Sequence, residues 1–126
     1  MTTSAKLFLI LGGLAALAAV VLGAFGAHAL KDRLPPEMLA VWRTGVEYHF
    51  CHALGLIAVG LVAAQLPGSA LLKWSGWLMF AGIALFSGSL YLLAATGTRW
   101  LGAVAPVGGT AFIAAWALFV AAVLRA

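Results

Sequence analysis

Four long stretches of this chain carry almost no charge, and their length restricts the fold more than any other feature. Residues 7–29 contain no lysine, arginine, aspartate or glutamate, and similar stretches cover residues 46–65, 74–95 and 103–124. An α-helix needs about 20 apolar residues to cross the roughly 30 Å hydrocarbon core of a bilayer. The sequence therefore predicts four transmembrane helices.

The composition excludes a soluble fold for a chain of this size. Of the 126 residues 65% are hydrophobic and 8% are charged, which is more apolar surface than a small soluble domain can bury. The connections between the spans are short, as is usual for antiparallel neighbours. We expect an all-α integral membrane protein in which residues 1–126 form a single domain of four antiparallel transmembrane helices.

A further short helix is predicted between spans one and two. Pro35 and Pro36 are tolerated at the start of a helix, and Glu37 then lies in the first turn, where an acidic side chain suits the helix dipole. The residues that follow are amphipathic. We expect a short interfacial helix that lies along the membrane surface until Gly45 lets the chain turn into the bilayer.

The positive charge indicates a membrane surface and not a nucleic acid as the partner. The seven basic residues are divided between the two sides of the membrane, with Lys6, Lys73 and Arg125 beside the termini and Lys31, Arg33, Arg43 and Arg99 opposite. They anchor helix ends in lipid headgroups, and no group is dense enough to follow a phosphate backbone. Because the basic residues are divided almost evenly, the positive-inside rule gives only a small preference for both termini in the cytoplasm.

The stretch GVEYHFCHALGL, residues 45–56, is the most informative part of the chain. The uninterrupted apolar part of span two, residues 53–64, is only about 18 Å long as a helix, which is too short to cross a bilayer. Span two must therefore include Glu47, His49 and His52. We expect these three residues in its first two turns, near the headgroups.

Helical spacing divides these polar residues between two faces. Arg43 and Glu47 are four residues apart and form a potential ion pair, whereas His49 and His52 lie on the other side. His28 ends span one on the same side of the membrane. We therefore expect one polar cluster, in which Glu47 contacts a neighbouring helix, composed of His28, Arg43, Glu47, Tyr48, His49 and His52.

Three interpretations of the cluster remain open. Its members cap helix ends and bind water, or they form a proton- or ligand-handling site based on histidine chemistry, or they bind a metal or haem. The histidine spacing matches no known zinc motif. The sequence contains no catalytic motif, so no enzyme activity, cofactor or metal site is predicted.

Small residues indicate where the helices pack. In membranes, rows of small side chains let helix backbones approach closely, and hydroxyl groups bond between helices. The predicted packing positions are Ala15, Ala19, Gly23 and Ala27 in span one, Gly88 in span three and Gly109 in span four. Ser87 and Ser89 are expected to bond across helices, and the indole of Trp116 needs a partner on a neighbouring helix.

Two classes of function are consistent with these features. The first is a non-catalytic, oligomeric scaffold or a protein that binds lipid or a partner, since nothing is predicted outside the bilayer. The alternative is an oligomeric transporter or channel with the Glu/His cluster at its mouth; a metal- or haem-binding membrane subunit is a third. The expected partners are membrane lipids, further copies of this chain or another membrane protein.

Four motifs together resemble a known family. They are GAFGAH at residues 23–28, TGVEYHFCHAL at 44–54, LFSGSLYLL at 85–93 and PVGGTAFIAAWAL at 106–118. In this order and in a chain of this size they closely resemble the YgdD-like small inner-membrane proteins, domain of unknown function 423, which include a eukaryotic four-span relative. The resemblance implies a multi-pass protein of the bacterial inner membrane, and it implies no activity.

The resemblance also transfers individual positions. The residues that match the family pattern are Gly23, Gly26, His28, Glu47, Tyr48, His52, Ser87 to Ser89 and Pro106 to Gly109. Two residues depart from it: His49 stands where the family suggests glutamine, and Ala115 where it suggests glycine. The departure at His49 argues against a ligand site made of a histidine pair.

Overall fold

The computed structural model describes residues 1–126 and contains helices without any β-strand. Four of its helical stretches are long and apolar enough to cross a membrane, which confirms the predicted fold class. In chain order the elements are α1 (Thr3–His28), α2 (Pro36–Gln65), α3 (Ala70–Gly82), a π-helical segment (Ile83–Ser87), α4 (Gly88–Thr96), a 3₁₀ segment (Arg99–Ala103) and α5 (Ala105–Leu124). The third span consists of α3, the π segment and α4.

Side-chain caps begin two of the helices, and a glycine ends α4. The Thr2 hydroxyl accepts a hydrogen bond from the Ala5 amide at 3.2 Å, and the Ser69 hydroxyl accepts one from Leu72 at 3.3 Å. Each cap satisfies an amide that has no partner inside its helix. Gly97 ends α4 with a φ of 72°, a left-handed conformation that favours glycine.

The predicted interfacial helix is not a separate element. The chain from Pro36 continues without a break into span two, so that α2 is one helix of 30 residues. Gly45 lies inside this helix and does not turn the chain. It is buried, and the Tyr91 ring lies 3.0 Å from where a β-carbon on Gly45 would be. At 1.5 Å per residue α2 is about 45 Å long, so its first turns extend beyond the hydrocarbon core.

Helices α1 and α2 pack against each other along a seven-residue repeat. The buried positions Gly12, Ala19 and Gly26 of α1 are seven residues apart, and at Gly12 a β-carbon would lie 2.9 Å from the Ala53 carbonyl oxygen of α2. A repeat of seven keeps one seam facing an antiparallel neighbour.

This repeat differs from the predicted row of small residues in α1. Ala19 is buried, Ala15 and Gly23 are partly buried, and a β-carbon at Gly23 would lie 3.2 Å from the Val46 side chain of α2, so three of the four positions pack as predicted, whereas Ala27 is exposed. A row with four-residue spacing rotates by about 40° at each step around the helix and leaves the contact seam.

The most buried of the four spans is α2, and it lies between α1 and the third span. Helix α5 also packs against the third span, where the Ser75 hydroxyl donates a 2.7 Å hydrogen bond to the Ala115 carbonyl. The apolar core is formed by Phe8, Leu56, Leu72, Met79 and their neighbours. The central position of α2 gives its polar side chains neighbours on several helices.

The closest contact between α5 and the third span occurs at Gly108. A β-carbon there would lie 2.8 Å from the Phe86 Cα in the π segment. The predicted packing glycines are placed differently, since nothing lies within 4 Å of a β-carbon at Gly88, and the nearest atom to one at Gly109 is 3.8 Å away. Between α5 and the third span, tight packing therefore depends on Gly108 and on Gly82, which faces the Phe112 ring; contacts of Gly88 or Gly109 between copies of the chain stay a prediction.

Candidate functional site

The depth of the polar residues follows from their positions along α2. Taking Gln65, the last residue of α2, as the far membrane boundary, His52 lies about 20 Å and His49 about 24 Å along the helix at 1.5 Å per residue. Both imidazoles are thus inside a hydrocarbon core of roughly 30 Å. Glu47 lies at about 27 Å, close to the headgroups, and Arg43 lies beyond them at about 33 Å.

His52 joins two helices through both of its ring nitrogens. Its Nδ1 is 2.7 Å from the Tyr48 carbonyl oxygen, and its Nε2 is 3.0 Å from the indole nitrogen of Trp116 on α5. A carbonyl only accepts and an indole N–H only donates, so Nδ1 carries the hydrogen and Nε2 accepts one. The imidazole is therefore held as one neutral tautomer, with no nitrogen left for a metal or a substrate.

Aromatic rings surround this imidazole. The ring of Phe112 stacks on it with centroids 3.5 Å apart and planes 10° apart, and Phe86 lies 5.7 Å from Phe112. Tyr48 packs on Phe86 at 4.7 Å. These contacts join α2, the π segment and α5 into one aromatic wall.

The wall borders a groove of about 470 Å³ between α2, the π segment and α5. We call it the aromatic groove. It is lined by Tyr48, His52, Phe86, Gly109, Phe112 and Trp116, together with Pro106, Thr110 and Ile113 of α5. It extends from Pro106 to Trp116, about 15 Å along α5. Its edges face outward, since Tyr48 is 45% exposed and Ile113 is 73% exposed.

The π segment brings Phe86 and Ser87 to this site. A π-helical turn inserts an extra residue into a helix, and such turns are frequent at functional sites. Here Phe86 lines the groove, while the Ser87 hydroxyl donates a 2.7 Å hydrogen bond to the Gly45 carbonyl of α2. The cross-helix bond predicted for Ser87 is present, whereas Ser89 bonds to the Phe86 carbonyl of its own span.

His49 lies on another side of α2 and has different partners. Its Nδ1 is 2.8 Å from the Tyr91 hydroxyl of α4. Nearby, the Trp42 indole donates a 3.0 Å hydrogen bond to the Leu22 carbonyl of α1. Every buried side-chain nitrogen or oxygen in the protein has a partner. His49 and Trp42 thus attach α2 to the helices on either side of it.

The structure does not join the expected polar residues into one hydrogen-bonded network. His28, Arg43 and Glu47 are exposed, whereas His49 and His52 are buried. Gly26 of α1 faces Trp42, so the neighbouring His28 is opposite the start of α2 and not opposite His52. The expectation assumed that α2 begins near residue 46, and its true start at Pro36 moves the histidines away from the loop.

Arg43 and Glu47 border a second, smaller groove. It has a volume of about 190 Å³ and lies between α1 and α2, where Gly23 and Ala27 form its other side. The side chains of Arg43 and Glu47 line it from the same helix face. Nowhere in the structure do three or more histidine, cysteine, aspartate or glutamate side chains come close enough to hold a metal ion.

Two residues of the aromatic groove, and the partner of His49 outside it, were not identified from the sequence. Phe86 and Phe112 read as ordinary apolar residues in spans three and four, and Tyr91 gave no sign of pairing with His49. The one usable signal was Trp116, whose indole was expected to bond to a neighbouring helix and does so.

Comparison with known proteins places the chain in a family. Residues 22–109 match the family described as "Protein of unknown function (DUF423)". The UPF0382 membrane protein YwdK of Bacillus subtilis is 53% identical over 120 residues, which cover 95% of this chain and 98% of that protein.

Staphylococcal proteins are similar over the same length. A UPF0382 membrane protein of Staphylococcus epidermidis is 47% identical across 95% of this chain and 97% of its own length, and one of Staphylococcus aureus is 42% identical with the same coverage. No solved structure matches the chain. The chain is therefore a membrane protein of the DUF423 family, as the four motifs indicated.

Proposed function

We propose that this protein is a non-catalytic membrane protein that holds the apolar chain of a membrane lipid in the aromatic groove. The observation that carries the proposal is the position of the groove, which lies at the depth of lipid chains and is open to the side. Its volume of about 470 Å³ lies in the usual range of about 300–1,000 Å³ for small-molecule sites.

The chemistry of the groove supports binding rather than catalysis. The imidazole of His52 uses both nitrogens in hydrogen bonds, so it has no free position as a base or nucleophile. The Thr110 hydroxyl donates to the Pro106 carbonyl of its own helix. The remaining walls are largely apolar rings, which favour an apolar occupant.

A groove-filling substitution tests lipid binding. Gly109 lines the groove, and a β-carbon there meets only the Phe86 ring at ordinary contact distance, so leucine should fill the groove while the fold persists. In lipid nanodiscs containing a phospholipid with a photoreactive acyl chain, we expect cross-linking to the peptide around residues 109–116. Gly109→Leu should reduce that cross-linking by about fivefold, since it occupies the volume that the chain needs.

The matched control is Gly13→Leu. Gly13 is exposed on α1 and has open space around it, so the same side chain is added far from the groove. Cross-linking at residues 109–116 should equal that of the unmodified protein. Equal labelling of the groove and of the outer face of α1 would contradict a lipid site, because it describes lipid contact without preference.

We also propose that the protein lies in the bacterial cytoplasmic membrane with both termini in the cytoplasm. The bacterial membrane proteins among its relatives support the location, and the distribution of basic residues gives a small preference for the orientation. In a Cys51→Ala background, an impermeant maleimide should label Asp32→Cys in intact cells and label Ala126→Cys only after permeabilisation. The reverse pattern would overturn the orientation.

A further inference from the structure

The aromatic groove differs from the middle of α1 in the kind of side chain it presents, although exposed rings also occur elsewhere, among them Trp77 and Phe80 of α3. The outward face of α1 is aliphatic, with Leu14, Leu17, Val20 and Val21 exposed. Such side chains suffice for contact with disordered lipid chains. The groove instead presents the rings of its wall, and aromatic rings prefer offset-stacked or edge-to-face contact with another flat ring.

The Tyr48 hydroxyl, at the end of the groove nearest the headgroups, is available to a bound molecule. Tyr48 lines the groove and is 45% exposed, and its phenol makes no hydrogen bond within the protein. The buried polar side-chain atoms, in contrast, all have partners. Tyr48 lies about 25 Å along α2 from Gln65, inside the headgroup boundary. Near the headgroups a phenol O–H usually finds an acceptor.

We propose that the aromatic groove binds a quinone-class lipid, a flat ring bearing carbonyl oxygens on an apolar isoprenoid tail. The ring lies beside Phe86 and Trp116, and the Tyr48 hydroxyl donates a hydrogen bond to a ring carbonyl. The tail follows α5 into the bilayer. This inference rests on the proposed lipid-binding function and names the class of lipid.

The two features together distinguish this ligand from an ordinary phospholipid. An ester carbonyl would satisfy the Tyr48 hydroxyl, but an acyl chain gains nothing from stacking on rings. A quinone matches both the donor and the rings. Because both nitrogens of His52 are engaged within the protein, His52 shapes the wall and does not bond to the quinone carbonyls.

Tryptophan fluorescence measures this binding in a background in which the exposed Trp74, Trp77 and Trp100 are replaced by phenylalanine, because Trp116 lines the groove and quinones quench indole emission. The protein in phosphatidylcholine nanodiscs is titrated with a benzoquinone carrying a decyl tail. We expect quenching that saturates. Tyr48→Phe should raise the dissociation constant by about three- to tenfold, as expected for one hydrogen bond.

Two further variants locate the site. Gly109→Leu should raise the dissociation constant by more than about tenfold, because leucine occupies the volume of the ring. Gly13→Leu should leave it unchanged. Circular dichroism and size-exclusion profiles equal to those of the unmodified protein establish that each variant is folded.

Specific outcomes would overturn the inference. Quenching that rises linearly and equally in every variant describes quinone dissolved in the bilayer, and equal binding of a decyl-tailed benzene without carbonyls removes the role of Tyr48. Loss of quinone binding while acyl cross-linking at residues 109–116 persists would refute the quinone and leave the proposed lipid binding standing. Absence of both would refute the two proposals together.

Discussion

Gly108→Leu is expected to prevent α5 from packing on the third span. At Gly108 a β-carbon would lie 2.8 Å from the Phe86 Cα and even closer to the Phe86 amide nitrogen, and these are main-chain atoms that cannot rotate away. Overpacking typically costs about 1–3 kcal/mol, and a main-chain clash belongs at or above the upper end, so we expect a loss of at least about 3 kcal/mol. Unfolding by sodium dodecyl sulfate in mixed micelles, followed by circular dichroism, measures the loss.

The adjacent residue provides the control for this substitution. Gly109→Leu adds the same side chain one position along α5, where the nearest atom to a β-carbon is in the Phe86 ring at 3.8 Å. We expect a change in the free energy of unfolding within about 1 kcal/mol. Equal destabilisation by the two variants would show that the close approach of α5 to the π segment does not hold the bundle together.

The four spans could be predicted because each contains about 20 residues with almost no charge, which is the length that crosses a bilayer. The first residue of α2 could not be predicted in the same way. Hydropathy shows where the apolar part of a helix begins, and α2 begins ten residues earlier, at Pro36. The amphipathic pattern after Pro36 and the glycine at position 45 predicted a separate interfacial helix. No proline stands between Glu37 and Gln65, so nothing breaks the helix, and it is continuous from Pro36 to Gln65.

The site was only partly predictable for a different reason. Trp116 carries a donor that is costly to leave unpaired in lipid, so its need for a partner followed from the sequence alone. The choice of His52, 64 residues away, depends on how α2 and α5 rotate about their axes. The π segment adds to that difficulty, because it shifts Phe86 and Ser87 relative to a regular helix and no local sequence rule predicts its place.

The structural role of the histidines also follows from their surroundings. His49 and His52 are 6% and 4% exposed, and each joins α2 to a different helix. Polar bonds of this kind give a membrane bundle its specificity, because lipid chains are as apolar as the helix surfaces and provide little drive for association. The buried imidazoles therefore contribute to the arrangement of the helices around α2, and this arrangement forms the aromatic groove.

His52→Ala is expected to be among the most destabilising single changes outside the glycine contacts. It removes a ring stacked on Phe112 and leaves the Trp116 indole N–H without an acceptor at a depth that water does not reach. Truncating a large buried side chain costs about 2–5 kcal/mol, and an unsatisfied donor costs about 1–3 kcal/mol, so we expect a loss of about 3–5 kcal/mol. The same detergent unfolding measures it, and His28→Ala, at an exposed position, should change the free energy by less than about 0.5 kcal/mol.

A double-mutant cycle with Trp116→Phe measures the contribution of the hydrogen bond between His52 and Trp116. Phenylalanine keeps an aromatic ring on α5 but has no N–H, so once Trp116 is replaced, His52→Ala no longer leaves a donor unpaired. The double variant should therefore be more stable than the sum of the two single changes predicts, by about 1 kcal/mol. Strict additivity would mean that the 3.0 Å contact between His52 and Trp116 contributes nothing, and that His52 stabilises the bundle only through its stacking on Phe112.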